Sequence, residues 1–331
     1  MKSTVILVLN HAEVSELLPV DECIPIMRKA FTALASGNVH LPLRSIVRAP
    51  QAKGLLGLMP SYVSGDRPAY GLKAVSVFPE NPAIGKDAHQ GAVLLFSGET
   101  GELQAVMNAS AITAIRTAAA TAVATDLLAR KDAGSLAILG SGVQARSHLL
   151  AMAEVRELKH CRVASREFEH AQKFADEMSL EVSFPIEAVE TVAKALEDAD
   201  LIVSTTTARE PIIKREWLKA GSHLNLVGAC VPHAREADGE TLAAASLFVD
   251  SRESALNEAG DYILAAREGL IGPEHIRAEL GEVLTGAKPG RPSPDEITCF
   301  KSLGISVEDL FAADHLYRKA QRRDVGTWVE Y

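Results

Sequence analysis

The chain is poor in aromatic residues, with Phe, Trp and Tyr making up 5% of its 331 residues. That scarcity argues against a stacking platform for single-stranded nucleic acid. A block of positive charge is missing too: 34 Lys and Arg stand against 43 Asp and Glu, for a net charge of −9. Recognition of a phosphate backbone is therefore disfavoured, and no nucleic-acid partner is expected. Cysteine is sparse. Cys23, Cys161, Cys230 and Cys299 are scattered, with no C-x-x-C pair and no Cys/His cluster at zinc spacing, so no metal is expected. Apolar runs are broken by polar residues well before the roughly 18 that a membrane-spanning helix needs, so no membrane span is expected. The opening MKSTVILVLNHAEV lacks a cationic region and a small-residue cleavage site and reads as a first strand. Unpaired thiols without an export signal fit a reducing cytoplasm.

What is present is a globular composition, 47% hydrophobic and 23% charged, with length for about two domains at roughly 150 residues each. Residues 1–110 mix a strand (5–9), a helix (21–36) and short β-like runs: RSIVRA, GLLGLMP, GLKAVSVF and GAVLLFS. Turn signals such as GDRPAYG and SGETGE separate them, as in a small antiparallel sheet. Residues 110–130 are Ala-rich with helical spacing, and Ser110 is the expected N-cap. From 135 to 251 strands alternate with helices. The strands are expected at 135–139, 161–165, 201–206, 223–228 and 246–250, and helices at 143–155, 167–179 and 187–197. That order implies a doubly wound parallel α/β domain. Residues 286–296 are a Gly/Pro-rich loop, and a helix with a basic end follows from Ser306.

The strongest motif is Gly140-Ser141-Gly142-Val143-Gln144-Ala145, directly after one strand and opening the next helix. The first glycine permits the tight turn, the second lets the backbone approach a pyrophosphate, and Ala145 allows close helix–strand packing. The helix N-terminus then offers N–H groups to phosphates. At the end of the second strand an NAD site carries an acid for the ribose 2′-hydroxyl. Here Ser165 and Arg166 occupy that tip, which favours NADP(H); Glu167, one residue on, keeps NAD(H) open.

The chain resembles the ornithine cyclodeaminase/mu-crystallin family nearly end to end. The likeness rests on PLRSIV (42–47), LMPSY (58–62), GLKAV (71–75), AHQGAVLLF (88–96), AIRTAAATAVAT (114–125), ILGSGVQARSHL (138–149), NLVGACVP (225–232), VDSRESALNEAGD (249–261), ELGEVLTG (279–286) and FKSLGISVEDL (300–310). It implies a substrate-binding and dimerisation α+β domain, residues 1–113 plus 305–331, into which a Rossmann-type NAD(P)-binding domain, residues 114–304, is inserted. A homodimer is implied as well. On the matching motifs, Arg44, Lys73 and Arg116 would hold the carboxylate of a small amino or imino acid. Paired donors are what such an anion needs in a partly closed cleft, although any one of these cations alone reads as a salt bridge. Lys73 is also the candidate for orienting proton transfer. Thr117 would hold a cofactor phosphate, and His89 with Gln90 would lie towards the nicotinamide. The expected cofactor set also includes Thr205, Thr206, Val227 and Ser302.

Two departures bear on the reaction that the resemblance implies. Cyclodeaminases carry Gly-Gly-Asp where this chain has Gly228-Ala229-Cys230, and a Glu where Gly57 precedes Leu58. Both anionic partners of a diamine are thus absent, which disfavours ornithine cyclodeaminase and weakens alanine dehydrogenase. The expectation is the ketimine reductase branch: NAD(P)H-dependent reduction of Δ1-pyrroline-2-carboxylate to L-proline and of Δ1-piperideine-2-carboxylate to L-pipecolate. Opine-type dehydrogenation and NADPH-dependent small-ligand binding remain open alternatives. Asp261, Glu308 and Asp309 read as helix caps or interdomain contacts. His148 reads as packing or surface, and Arg318, Lys319, Arg322 and Arg323 as a solvated face.

Overall fold

A computed structural model describes residues 5–331. In chain order its strands are β1 (Val5–Leu9), β2 (Val39–His40), β3 (Ser45–Val47), β4 (Leu55–Val63), β5 (Ala69–Val77), β6 (His89–Ser97) and β7 (Leu103–Asn108). There follow β8 (Ser135–Leu139), β9 (His160–Ala164), β10 (Ile186–Ala188), β11 (Leu201–Ser204) and β12 (His223–Leu226). The last are β13 (Ala245–Val249), β14 (Ile276–Glu279), β15 (Ile297–Lys301) and β16 (Thr327–Glu330). The chain divides into two compact units, one running up to Thr117 and resuming over Ile305–Tyr331, the other spanning Ala118–Gly304.

The first unit is built on a mixed sheet of order β16-β1-β7-β6-β5-β4-β2, with β3 also on β4. Strands β2 to β7 pair antiparallel, as the turn signals between them predict. The antiparallel sheet expected from the runs after Gly37 is present, and β1 joins it parallel to β7. The chain between them is long enough to cross over, which a hairpin is not. Helices Val20–Ala35 and Ser306–Arg323 pack on each other, and the latter lies against β4 and β5. Its buried stripe includes Val307, Leu310, Ala313 and Leu316. The basic run in that helix is not one solvated face. Lys319 is buried and pairs with Glu22 at 2.6 Å, because its long stem lies along the apolar stripe.

Helix Ala109–Leu128 leads from the first unit into the second. Ser110 does not cap it. It lies in the first turn and donates its hydroxyl to the His89 carbonyl, while Asn108 Oδ1 takes the Ala111 N–H at 3.0 Å. By length and composition this helix is apolar enough to cross a membrane, contrary to the sequence expectation, which counted uninterrupted runs; most of it is buried inside the protein. Ala118, Ala119, Ala120, Ala122, Val123 and Ala124 are wholly buried, so the helix is apolar all round because it is a core helix.

The second unit carries a parallel sheet of order β10-β9-β8-β11-β12-β15-β13-β14. Its strands read as continuous apolar runs, with all residues of β11, β12, β13 and β15 buried. This is the doubly wound, Rossmann-type α/β fold. Helix Val143–Val155 stands as expected, whereas the stretch expected as a helix at 187–197 divides into β10 and a short helix Val192–Leu196. Thr191 is the reason: its side chain accepts the Lys194 N–H and starts the helix late. The chain leaves β8 for β9 and β10 on one side, then returns to β11 and β12 on the other. The order therefore reverses between β8 and β11, where such sheets bind ligands at their carboxyl ends.

Candidate active site

In the first unit three of the expected cations converge. Lys73 sits on β5 and Arg116 on helix Ala109–Leu128, and both are about 3% exposed. Burying two cations costs several kcal/mol each unless anions and hydrogen bonds offset it. Two carboxylates from the first turn of helix Ser306–Arg323 do so. Asp309 Oδ1 accepts from Arg116 Nε at 3.0 Å, Glu308 Oε2 accepts from Arg116 Nη1 at 2.8 Å, and Asp309 Oδ2 lies 2.8 Å from Lys73 Nζ. None of these bonds uses Arg116 Nη2. Glu308 also takes the Ile305 N–H at 3.1 Å, so it caps its helix and holds Arg116 at once.

The electrostatics follow from this arrangement. Burial, then the positive Arg116, pushes Lys73 down to about 8, against the pull of Asp309. Arg44, half-buried before β3, adds a smaller push in the same direction. Burial opposes the Arg116 charge, yet Asp309 and Glu308 hold it firmly cationic. Asp309 stays below the usual carboxylate range despite its own burial, because Arg116 and Lys73 face it. His89, at the start of β6, counts as exposed, but desolvation by its surroundings and then Lys73 and Arg116 keep its ring below the ordinary range. Thr117 is buried and donates its hydroxyl to the Thr113 carbonyl at 2.6 Å. Gln90 is not drawn in: its amide donates to the Asp87 carbonyl in the same hairpin.

In the second unit the glycine motif sits at the topological switch point. Gly140 has φ +103°, a conformation costly for any side chain, and its N–H donates to the Ala164 carbonyl at 2.9 Å. Gly142 is the N-cap of helix Val143–Val155 and supplies no side chain to the first turn. A Cβ added there would meet nothing within 4 Å, so the space in front of the helix is open. Val143 is 60% exposed and Gln144 half-buried at that end, as residues facing a ligand would be. This cradle fits a dinucleotide phosphate: backbone donors, a positive helix end and room beside them. Ser141 and Ser165 hydroxyls lie 3.0 Å apart, and Arg166 is exposed next to Ser165.

The neighbouring strand ends are fastened by a residue the sequence did not single out. Glu236 is fully buried, and its Oε1 accepts from Ser204 Oγ, Thr206 N and Thr206 Oγ1 at 2.7–2.8 Å. Its Oε2 accepts the Gly228 N–H at 2.6 Å. Burial pushes the Glu236 carboxyl up. Asp261 is not a helix cap: it accepts the Glu236 and Ala237 N–H groups and pairs with buried Lys301 at 3.1 Å. Thr205, at the end of β11, donates its hydroxyl to the Leu139 carbonyl at 3.2 Å. Val227 and Ser302 are buried just beyond β12 and β15. His148 is buried packing, with Nδ1 on the Gln144 carbonyl and Nε2 on Thr121. Glu236 carried no usable signal in sequence. Glu308 and Asp309 carried a weak one, two acids in a first turn with apolar Val307 and Leu310 on either side.

The chain's likeness to known proteins runs over the same ground. It is 42% identical over 287 residues to the ketimine reductase mu-crystallin of Mus musculus, covering 87% of each chain. It is 37% identical over 326 residues to a Delta(1)-pyrroline-2-carboxylate reductase of Bacillus cereus, covering 98% of this chain and 100% of that one. The solved structure of Thermococcus litoralis Delta(1)-pyrroline-2-carboxylate reductase in complex with NADH and L-proline matches with a TM-score of 0.95 and 41% identity, over 98% of this chain and 100% of that chain. A model of the ornithine cyclodeaminase/mu-crystallin family matches residues 4–324, and the chain belongs to that family.

Proposed function

We propose that this protein is a ketimine reductase, reducing Δ1-pyrroline-2-carboxylate to L-proline and Δ1-piperideine-2-carboxylate to L-pipecolate with a reduced nicotinamide as hydride source. The observation that carries this reading is the end-to-end likeness to reductases of cyclic imines, one of them solved with NADH and L-proline. The dinucleotide supplies the hydride when bound, and Gly140, Gly142, Val143, Gln144, Ser165, Thr205, Thr206, Val227 and Ser302 are the second unit's residues for holding it. In the first unit His89 and Thr117 are proposed for the same cofactor. Arg116, through its remaining Nη2, and Arg44 take the substrate carboxylate. Fixing that anion fixes the C=N carbon, and such positioning supplies much of the rate. Lys73 gives a proton to the ring nitrogen, since an iminium accepts hydride more readily than a neutral imine; a group that titrates near pH 8 is well matched to that transfer.

Neither the stretch Gly228-Ala229-Cys230 nor Gly57 supplies the acids that the resemblance associates with a diamine substrate. Purified protein with NADPH is therefore expected to turn over both cyclic imines far faster than pyruvate with ammonia, and to release no ammonia from ornithine. Efficient ornithine deamination would overturn the assignment. NADPH is the favoured cofactor on the strength of exposed Arg166, a guanidinium suited to a 2′-phosphate. Arg166→Ala is expected to lower kcat/KM for NADPH about tenfold, the loss of one charged hydrogen bond, while that for NADH stays level. An equal fall for both would remove the preference. A homodimer in a reducing cytoplasm, where four free thiols persist, completes the proposal.

A further inference from the structure

We propose that Asp309 is a positioning residue for the reduction: it locks Lys73 and Arg116 in one arrangement and keeps the transferable proton on Lys73. The inference rests on the ketimine reductase reading and adds to it the group that controls the proton donor.

One carboxylate serves both cations. Oδ1 meets Arg116 Nε at 3.0 Å and Oδ2 lies 2.8 Å from Lys73 Nζ, so the side chain bridges the proposed anchor and the proposed acid. All three groups are buried. At that depth a positive charge on Lys73 is opposed by burial and by two further cations, Arg116 and Arg44, and the chief force retaining it is Asp309. Among the other groups facing this cluster, His89 on β6 is held below its ordinary range by desolvation and then by the same cations, and the Cys23 thiol on helix Val20–Ala35 is pushed up by burial. Glu308, the second carboxylate, reaches Arg116 Nη1, whereas the Lys73 ammonium pairs with Asp309. The two neighbouring acids therefore divide the work: Glu308 holds the guanidinium, while Asp309 holds the guanidinium and the ammonium together.

The division yields a discriminating experiment. In the wild type, kcat for Δ1-pyrroline-2-carboxylate is expected to be level at neutral pH and to fall above about pH 8, as Lys73 loses its proton. Asp309→Asn keeps the shape and removes the charge. Its falling limb is expected to move to lower pH by roughly one unit or more, the usual effect of losing a close opposite charge. At about pH 7.5 that lowers kcat roughly three- to tenfold. Glu308→Gln is expected to raise KM for the imine and leave the limb in place. NMR of protein labelled at lysine Cε reads Lys73 directly, without turnover, in wild type and both variants. A parallel downward move of the Lys73 resonance titration in Asp309→Asn alone supports the proposal. A Lys73 titration unmoved in folded Asp309→Asn, or moved equally by Glu308→Gln, overturns it while leaving the reductase reading intact. Absence of imine turnover in the wild type removes that reading alone, because the resonance titration still reports on Asp309.

Discussion

Arg116→Ala is expected to unfold at markedly lower urea than the wild type, with a loss of about 3–5 kcal/mol, as well as to lose imine reduction. The two effects have one cause. Arg116 is a cation that both Glu308 and Asp309 face in the buried interior of the first unit, and removing it takes from two desolvated carboxylates a charged partner, while Lys73 still pairs with Asp309. The catalytic loss is expected at about two to three orders of magnitude in kcat/KM, the range seen when one partner of a desolvated charge pair is truncated. Stability can be separated from function by neutralising the whole cluster. Arg116→Met combined with Lys73→Met, Glu308→Gln and Asp309→Asn is expected to regain most of the urea midpoint, since apolar and neutral replacements of buried ions are often tolerated, and to remain inactive. A wild-type midpoint for Arg116→Ala would show that the cluster does not hold the fold. Acid should act in the same direction as the mutation. Asp309 is depressed in the folded protein, so its contribution is complete above the ordinary carboxylate range, about pH 4, and is lost as pH falls through the folded value.

Gly142→Asp is expected to have opposite effects on stability and binding. The residue is a helix N-cap with φ −82° and ψ −167°, where aspartate is among the favoured residues, and a side chain there meets nothing within 4 Å. The melting temperature of the protein alone should therefore hold or rise slightly. The new carboxylate, however, takes both the space and the first-turn donors that a pyrophosphate needs, and it repels that anion. The dissociation constant for NADH should rise by more than about 100-fold, roughly the loss of two charged hydrogen bonds. Calorimetric melting together with NADH fluorescence titration checks both signs. A destabilised variant would overturn the N-cap argument, and one that still binds NADH would place the dinucleotide elsewhere.

Much of this was legible in the residues. The glycine motif, the strand before it and the helix after it lie where the apolar period and turn chemistry put them, because short buried strands and capped helices are specified locally. Strand β15 was not legible. Its ITCFK run looks like other buried strands, but nothing in it says that it slots between β12 and β13. The acids were legible only in part: Glu308 does cap its helix, but its second role lay hidden. Glu308 and Asp309 look like first-turn helix stabilisers, and only the assembled first unit shows that Lys73 on β5 and Arg116 on helix Ala109–Leu128 meet them. Asp261 and Glu236 have backbone partners far away in sequence, which no periodicity encodes. Ser110 lost its cap because Asn108, two residues earlier, has the better-placed oxygen.

The slot filled by β15 also governs how the chain matures on the ribosome. Strands β12 and β13 each pair with it, so until Lys301 has emerged both present an open parallel edge. Parallel pairing across so long a stretch of chain is slow, and open edges recruit neighbours. The first unit waits longer still, since β16 closes on β1 only after Thr327–Glu330 has emerged. The aggregation-prone interval of the second unit thus lies between the emergence of β12 and that of β15. Slowing translation upstream of residue 297 should lengthen that exposure rather than assist folding.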